Sequence, residues 1–155
     1  EADEVLSLYR TAGALGRENG SSVWDDDYPN REILMDDLAG GRLFVLEDDG
    51  LILACVSLLE AEDIEAENLP WTPARACVPS RLCVAPGRQG EGLGEHVMRL
   101  LAARAGIGGC TSMRLLAACA NLAAIRLYER MGYRRVGFVR LYEIDFFAYE
   151  LGLQG

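Results

Sequence analysis

Apolar residues recur at helical spacing over Asp3 to Gly20, where Val5, Leu6, Leu8, Tyr9, Ala12 and Leu15 form one face. Gly16 or Gly20 ends that helix. Ser21 to Asn30 (SSVWDDDYPN) predicts a loop, and Asn30 is an N-cap for a second short helix through Ile33, Leu34 and Leu38. Gly40-Gly41 stops it. A strand over Arg42 to Glu47, a turn at Asp48-Asp49-Gly50 and a nearly continuous apolar strand over Leu51 to Leu59 read as a hairpin. An acidic stretch follows, with Glu60, Glu62, Asp63, Glu65 and Glu67. Ala74 to Ala85 predicts a long strand, with Pro79 predicting a bulge or a break in pairing. From Gly92 the apolar set Leu93, Val97, Leu100, Leu101 and Ala105 returns to helical spacing. Ser112 to Cys119 reads as a strand, and Asn121 caps a helix through Leu122, Ala124, Ile125, Tyr128 and Met131 that Gly132 closes. Tyr133 to Val139 and Tyr142 to Leu151 read as two final strands joined near Arg140. The order helix, helix, three strands, helix, strand, helix, two strands predicts a mixed α/β sandwich with helices on the sheet faces, in one domain over residues 1–155.

Composition narrows the function. The chain has 155 residues, half of them hydrophobic, which supports a real core and excludes disorder. Its 15 basic and 24 acidic residues give a net charge of −9, a poor match for nucleic acid and a better one for cationic partners such as amines. No apolar run reaches membrane-spanning length, and the acidic N-terminal stretch is unlike a signal peptide. Cys55, Cys77, Cys83, Cys110 and Cys119 lie in apolar runs without Cys-x-x-Cys spacing. They read as buried reduced thiols of a cytoplasmic protein, with no metal site.

The stretch RLCVAPGRQGEGLG, Arg81 to Gly94, carries the chemistry. A strand passes through a Gly-rich loop into a helix N-terminus, which aims backbone N–H groups and the helix dipole at one spot, a place for an anion. A Walker loop needs Gly-Lys-Ser/Thr, and a Rossmann turn needs Gly-x-Gly-x-x-Gly; Gly90-x-Gly92-x-Gly94 followed by Glu95 is neither. The spacing Gln89-x-x-Gly92-x-Gly94 after Val84-Ala85-Pro86 resembles the pyrophosphate loop of the GNAT superfamily of N-acetyltransferases. Three further features extend the likeness over essentially the whole chain. NLAAIRLYERMGYRRVG, residues 121–137, resembles the family's second motif, with an Asn, a helix carrying Leu-Tyr-Glu, then Gly and an aromatic. A Trp and Tyr-Pro loop precedes a helix ending in Gly-Gly, and the terminal strand carries Phe146, Phe147, Tyr149 and Glu150.

The resemblance implies a mixed, mostly antiparallel sheet whose strand pair splays at a cofactor cleft, with acetyl-CoA as co-substrate. It places the backbone of Leu82, Cys83 and Val84 along the pantetheine arm. The loop Gln89, Gly90, Glu91, Gly92, Leu93, Gly94 and Glu95 would lie on the pyrophosphate, with Asn121 on the pantetheine. Arg126 and Arg130 are either counter-charges for the phosphates or solvated helix residues. Tyr128 matches the family's Leu-Tyr-Glu tyrosine and would protonate the departing thiolate.

Acyl transfer to an amine also needs a neutral amine and stabilisation of the carbonyl oxygen, for which the N–H groups of Cys83 and Val84 are candidates. Some family members place a Glu on the strand before the loop; here Arg75, Cys77, Val78 and Arg81 stand there. The base candidates are therefore Asp26, Asp27 and Glu60 through a water chain, or no dedicated base. His96 reads as a residue of the first turn on the phosphate side, and Cys83 as a buried thiol rather than a covalent acyl carrier. Trp24, Asp26, Asp27, Tyr28 and Glu60 are the acceptor-site candidates, since carboxylates between aromatics suit a cation with an apolar body. The expected function is transfer of an acetyl group from acetyl-CoA to a primary amine, small and cationic or peptidic, by direct attack in a ternary complex. The alternative is a non-catalytic acyl-CoA-binding or regulatory module on the same fold. Neither nucleic acid nor membrane is expected as a partner, and a homodimer is compatible with the reading.

Overall fold

The computed structural model describes residues 2–18, 24, 28–60 and 68–153. Asp26, Asp27 and the acidic positions Glu62, Asp63, Glu65 and Glu67 lie outside them. Among the described residues the elements run α1 (Ala2–Glu18), α2 (Arg31–Ala39), β1 (Leu43–Asp48), β2 (Leu51–Glu60), β3 (Ala76–Val84), α3 (Leu93–Ile107), β4 (Ser112–Ala118), α4 (Leu122–Arg130), β5 (Arg134–Leu141) and β6 (Ile144–Gly152). This is the element order predicted from the hydrophobic pattern, on one six-stranded sheet in the order β1-β2-β3-β4-β6-β5. Every neighbouring pair is antiparallel except β3 and β4.

Alternation along the strands sorts the core into two faces. Ala54 and Val56 of β2, Met113, Leu115 and Ala117 of β4, and Tyr149 of β6 pack with Val97, Met98 and Leu101 of α3 and Ile125 and Tyr128 of α4. Cys55 and Cys83 point the other way, into a cluster with Val5, Leu6, Leu8 and Tyr9 of α1 and Leu34 of α2. Both predicted asparagine caps form: the Asn30 side chain accepts from the Ile33 N–H at 3.0 Å, and that of Asn121 from the Ala124 N–H at 3.2 Å.

The parallel pair β3–β4 is short. Only Ala76↔Ser112 and Cys77↔Met113 are in register, after which the strands part. Each keeps a partner on its outer side, since β3 pairs with β2 as far as Val84 and β4 with β6 from Ser112 to Ala118. Pro79 does not break the strand. It sits opposite Leu58 within an unbroken β3, beyond the last β3–β4 pair. The irregularity comes two residues later: Cys55 faces Cys83 but Ser57 faces Ser80, so Val56 opposes both Arg81 and Leu82. That is a β-bulge, and Arg81 takes φ 57 within it.

Residues 68–75 cross the α1/α2 side of the sheet. Trp71 and Leu69 pack with Val78, Leu116 and Val139. Glu150 accepts from the Thr72 N–H and hydroxyl, and Arg114 donates to the Thr72 carbonyl. Leu69 packs so close to β5 that a Cβ on Gly137 would lie 2.9 Å from its Cδ2 and the leucine tip would have to shift.

Two expectations are corrected. Cys77 and Cys110 are joined as a disulfide with Cα atoms 6.2 Å apart, whereas all five cysteines read as reduced thiols. The turn after α3 carries Cys110 back against the start of β3 across 33 positions, which cysteine spacing does not reveal. Cys55 and Cys83 remain buried free thiols, and Cys119 is half-buried. The last hairpin turns at Tyr142-Glu143 rather than near Arg140, with φ 52 and 63 at residues that carry side chains. Neither Gly nor Asn marks this turn, so its position had no sequence signal.

Glu143 is exposed in that left-handed position. Relief of about 1–2 kcal/mol of backbone strain outweighs the added unfolded-chain entropy of glycine, about 0.4–1 kcal/mol. Glu143→Gly is expected to raise Tm by about 2 °C, measured by differential scanning calorimetry; a fall in Tm would mean that the Glu143 side chain stabilises the turn.

Candidate active site

The divergence of β3 from β4 opens a cleft of about 880 Å³ that crosses the sheet from one face to the other. Its walls come from β3 (Arg81 to Val84), the loop and first turn of α3, the end of β4 (Leu116 to Ala118), α4, and α1 with Trp24.

Backbone polarity along β3 decides what this wall offers. The Ala85 N–H donates to the Leu53 carbonyl at 2.8 Å. Antiparallel ladders alternate, so Cys83, facing Cys55, also turns its N–H and C=O toward β2. Leu82 and Val84 turn theirs toward the gap, where β4 has departed. Of the two candidate N–H groups, that of Val84 faces the gap and that of Cys83 is engaged in the sheet.

The α3 N-terminus forms one end of the cleft. Gly92 is the N-cap with φ 79 and gives no side-chain cap. The first helical bond is the His96 N–H to the Gly92 carbonyl at 3.0 Å, so the N–H groups of Leu93, Gly94 and Glu95 have no acceptor within the helix. A Cβ added at Gly90 or Gly92 meets no heavy atom within 4 Å and would project into open space. At Gly94 it would rest in ordinary contact with Leu127 and Val84. Glu95 bonds Arg130 at 3.0 Å and Arg99 at 2.9 Å, and these guanidinium groups hold its carboxyl below the usual carboxylate range. Arg130 lines the cleft, whereas Arg126 is exposed outside it. One carboxylate between two arginines leaves this end of the cleft with a net positive charge.

On α4, Asn121 lines the cleft while capping the helix. Tyr128 lines it too, packed between Tyr133 and Tyr149 with ring centroids at 5.6 and 6.3 Å. Burial alone pushes its phenol up to about 12, so it keeps its proton throughout the physiological range. Cys83 lies at the opposite wall, but the Cys55 thiol and burial push its own thiol far up, and a thiol held protonated is a poor nucleophile.

On the other face the lining is Ala12 and Leu15 of α1, Trp24, Arg81, Leu116 and Phe146. Trp24 meets Tyr9 edge-on at 5.6 Å. The structure thus brings Trp24, Leu82, Cys83, Val84, Gln89, Gly90, Gly92, Leu93, Gly94, Glu95, Asn121 and Tyr128 around one cavity. Glu91 is exposed and bonds Arg88, Tyr28 is partly exposed and bonded to Arg81, and Glu60 is exposed at the end of β2 away from the cleft. His96 is exposed and does not line it.

Sequence reasoning missed Asp37. Its side chain is 3% exposed, bonded to the Ser57 hydroxyl at 2.7 Å and to Arg81 Nη2 at 2.6 Å. The available signal was its place three residues after Leu34, on the inward face of α2, where a carboxylate needs a partner. Leu116 and Phe146 were missed because strand alternation does not say which face meets a cleft.

No curated protein sequence matches the chain. Among solved structures it superposes on a GNAT-family acetyltransferase from Streptococcus agalactiae with a TM-score of 0.83 at 22% identity, covering 100% of this chain and 91% of that one. A ribosomal-protein-alanine N-acetyltransferase from Brucella melitensis matches with a TM-score of 0.75 at 18% identity over 98% and 94% of the two chains. The Salmonella typhimurium protein yncA, solved with its cofactor acetyl-CoA, matches with a TM-score of 0.73 at 18% identity over 99% and 89%. These likenesses establish the fold. A family model described as an acetyltransferase (GNAT) domain matches residues 39–135, from the end of α2 into β5 and across the whole loop, cleft and α4 region, so the chain belongs to the GNAT acetyltransferases and is an acyltransferase.

Proposed function

We propose that this chain transfers an acetyl group from acetyl-CoA to a primary amine by direct attack in a ternary complex. The observation that carries the proposal is the cleft itself: an unpaired strand edge, an uncapped helix N-terminus and a protonated phenol line one cavity that runs through the sheet.

The residues fit acetyl-CoA in four ways. Free N–H groups at Leu93, Gly94 and Glu95 and the open space beside Gly90 and Gly92 suit a pyrophosphate. The gap-facing groups of Leu82 and Val84 suit an amide-bearing arm lying where β4 would have paired. The Val84 N–H serves the thioester oxygen as charge grows on it. Tyr128 donates its proton to the departing thiolate, and its raised pKa keeps that proton available.

The acceptor amine enters from the α1/α2 face, past Trp24, Leu116 and Phe146. Among the described lining residues the one carboxylate is Glu95, at the phosphate end and engaged by two arginines. The amine therefore reaches the cleft neutral, its proton lost to solvent, with no dedicated base on the described walls. Both acceptor types, a small amine and a peptide α-amine, remain within this reading. The cationic preference rests on Asp26 and Asp27, which lie outside the described residues.

Gly92→Val places a branched side chain in the phosphate space and is expected to weaken coenzyme A binding at least tenfold by calorimetry. Gly94→Ala, whose methyl finds ordinary contacts, is expected to stay within about twofold of wild type, and Gly92→Ala, which carries the same left-handed strain at φ 79 without the branched bulk, separates blocked access from backbone damage. Equal affinity of wild type and a folded Gly92→Val variant would refute the pyrophosphate assignment.

Tyr128→Phe deletes one hydroxyl and leaves the ring packing. It is expected to lower kcat about 10²-fold with acetyl-CoA affinity little changed, in assays where chemistry limits the rate. Because burial raises the phenol pKa, the protonated donor persists up to about 12, and wild-type kcat/KM should climb with pH as the amine deprotonates, with no alkaline loss from Tyr128 below about pH 11. Undiminished turnover in Tyr128→Phe would return the residue to a packing role. Binding of acetyl-CoA without turnover of any amine would favour a non-catalytic module.

A further inference from the structure

Arg81 is the feature of the cleft that this mechanism leaves unused, and it is built with care. The bulge opposite Val56 and the left-handed φ of 57 turn its side chain onto the α1/α2 face. A non-glycine residue in that region is strained, and such strain persists only where the surroundings fix it. They do so here. Nη2 donates to Asp37 Oδ2 at 2.6 Å, and Asp37 is held in turn by Ser57 and, at 3.5 Å, by Arg42. Burial alone would favour loss of the Arg81 charge, but the bonds to Asp37 and Tyr28 outweigh it.

The remaining donors are under-used. Nη1 has only long contacts, 3.3 Å to the Tyr28 hydroxyl and 3.4 Å to the Ser80 hydroxyl, and buried Nε has no partner. Good N–H···O bonds are near 2.9–3.0 Å. Two arginines on one carboxylate also leave the Asp37 cluster with one net positive charge. That charge stands beside Trp24, Leu116 and Phe146, at the end of the cleft where the acceptor enters. No carboxylate among the described residues lines this end.

Given the acetyltransferase reading on which this rests, we propose that Arg81, assisted by the Tyr28 hydroxyl, receives a carboxylate on the acceptor. The acceptor is then an amino acid with an apolar side chain. Its carboxylate accepts from Nη1, the donor not committed to Asp37, its side chain lies against Trp24, Leu116 and Phe146, and its amine faces the thioester. Among the described residues this end of the cleft offers no carboxylate to the second cation of a polyamine.

The test compares amines that differ only in the carboxylate: phenylalanine against 2-phenylethylamine, and leucine against 3-methylbutylamine, with spermidine and a short peptide alongside. Wild type should favour the carboxylate-bearing member of each pair by at least about tenfold in kcat/KM, the scale of one charge-assisted hydrogen bond. Tyr28→Phe should reduce that ratio through KM. Removing Arg81 alone would strand part of the Asp37 charge, so the paired Asp37→Asn/Arg81→Gln variant is used, with its fold checked by circular dichroism; its ratio should fall to about one. Calorimetry on the coenzyme A-loaded protein gives a readout independent of turnover: N-acetylphenylalanine should bind wild type more tightly than N-acetyl-2-phenylethylamine, and the paired variant should not distinguish them. Equal or reversed preference in wild type would overturn the inference. Acetylation of spermidine or the peptide but of neither amino acid would overturn it while leaving the acetyltransferase reading intact, and acetylation of no amine by folded protein would overturn both.

Discussion

The structure depends on a parallel strand pair that stops pairing almost as soon as it starts. Two residues of β3 register with β4, and beyond them the two edges face each other across a gap. An unpaired strand edge inside a sheet is costly, because its N–H and C=O groups have lost their ladder. It persists here because β2 and β6 hold the outer edges along almost their full lengths. The sheet is effectively two antiparallel halves hinged at Ala76 and Cys77. The open strand edge, the passage through the sheet and the placement of α3 and α4 around it follow from that hinge.

Charge is distributed along the cleft in the sense the proposed chemistry requires, although the chain as a whole is strongly acidic. At the α3 end Arg99 and Arg130 share Glu95, with the open N–H groups of the α3 first turn beside them. At the far end Arg81 and Arg42 share Asp37. Between them lie apolar side chains and the buried Tyr128 phenol. Local arrangement rather than net charge sets the field in such a cleft. The net charge of −9 does not describe the walls of this cleft, and the expectation of a cationic acceptor rests chiefly on Asp26 and Asp27, which lie outside the described residues.

The α3 loop and α4 were legible in the sequence because each is a local device. Gly90, Gly92 and Gly94 mark a turn, Asn121 marks a cap, and the Leu-Tyr-Glu of residues 127–129 lies one turn along the helix that this cap begins. Pro79 predicted a bulge or a break in pairing, and both lie beside it: β3–β4 pairing ends at Cys77 and the bulge falls at Arg81 and Leu82, while β3 itself runs on through the proline. The Tyr142-Glu143 turn, the left-handed φ of Arg81 and the Cys77–Cys110 link gave no warning, since each depends on residues far away in the chain or on backbone angles that ordinary side chains seldom adopt.

The sequence by itself determined the elements, their order, the anion-ready helix N-terminus and the family, because hydrophobic period, caps and glycine spacing act over a few residues. Tertiary structure alone decided which N–H groups face the gap, that Trp24 meets the cleft while Tyr28 and Glu60 do not line it, and that Asp37 from α2 supports an arginine at a β3 bulge. These are matters of register and of which side of a strand a group occupies. A one-residue shift in pairing reverses the side, and no local pattern in the chain records where that shift falls.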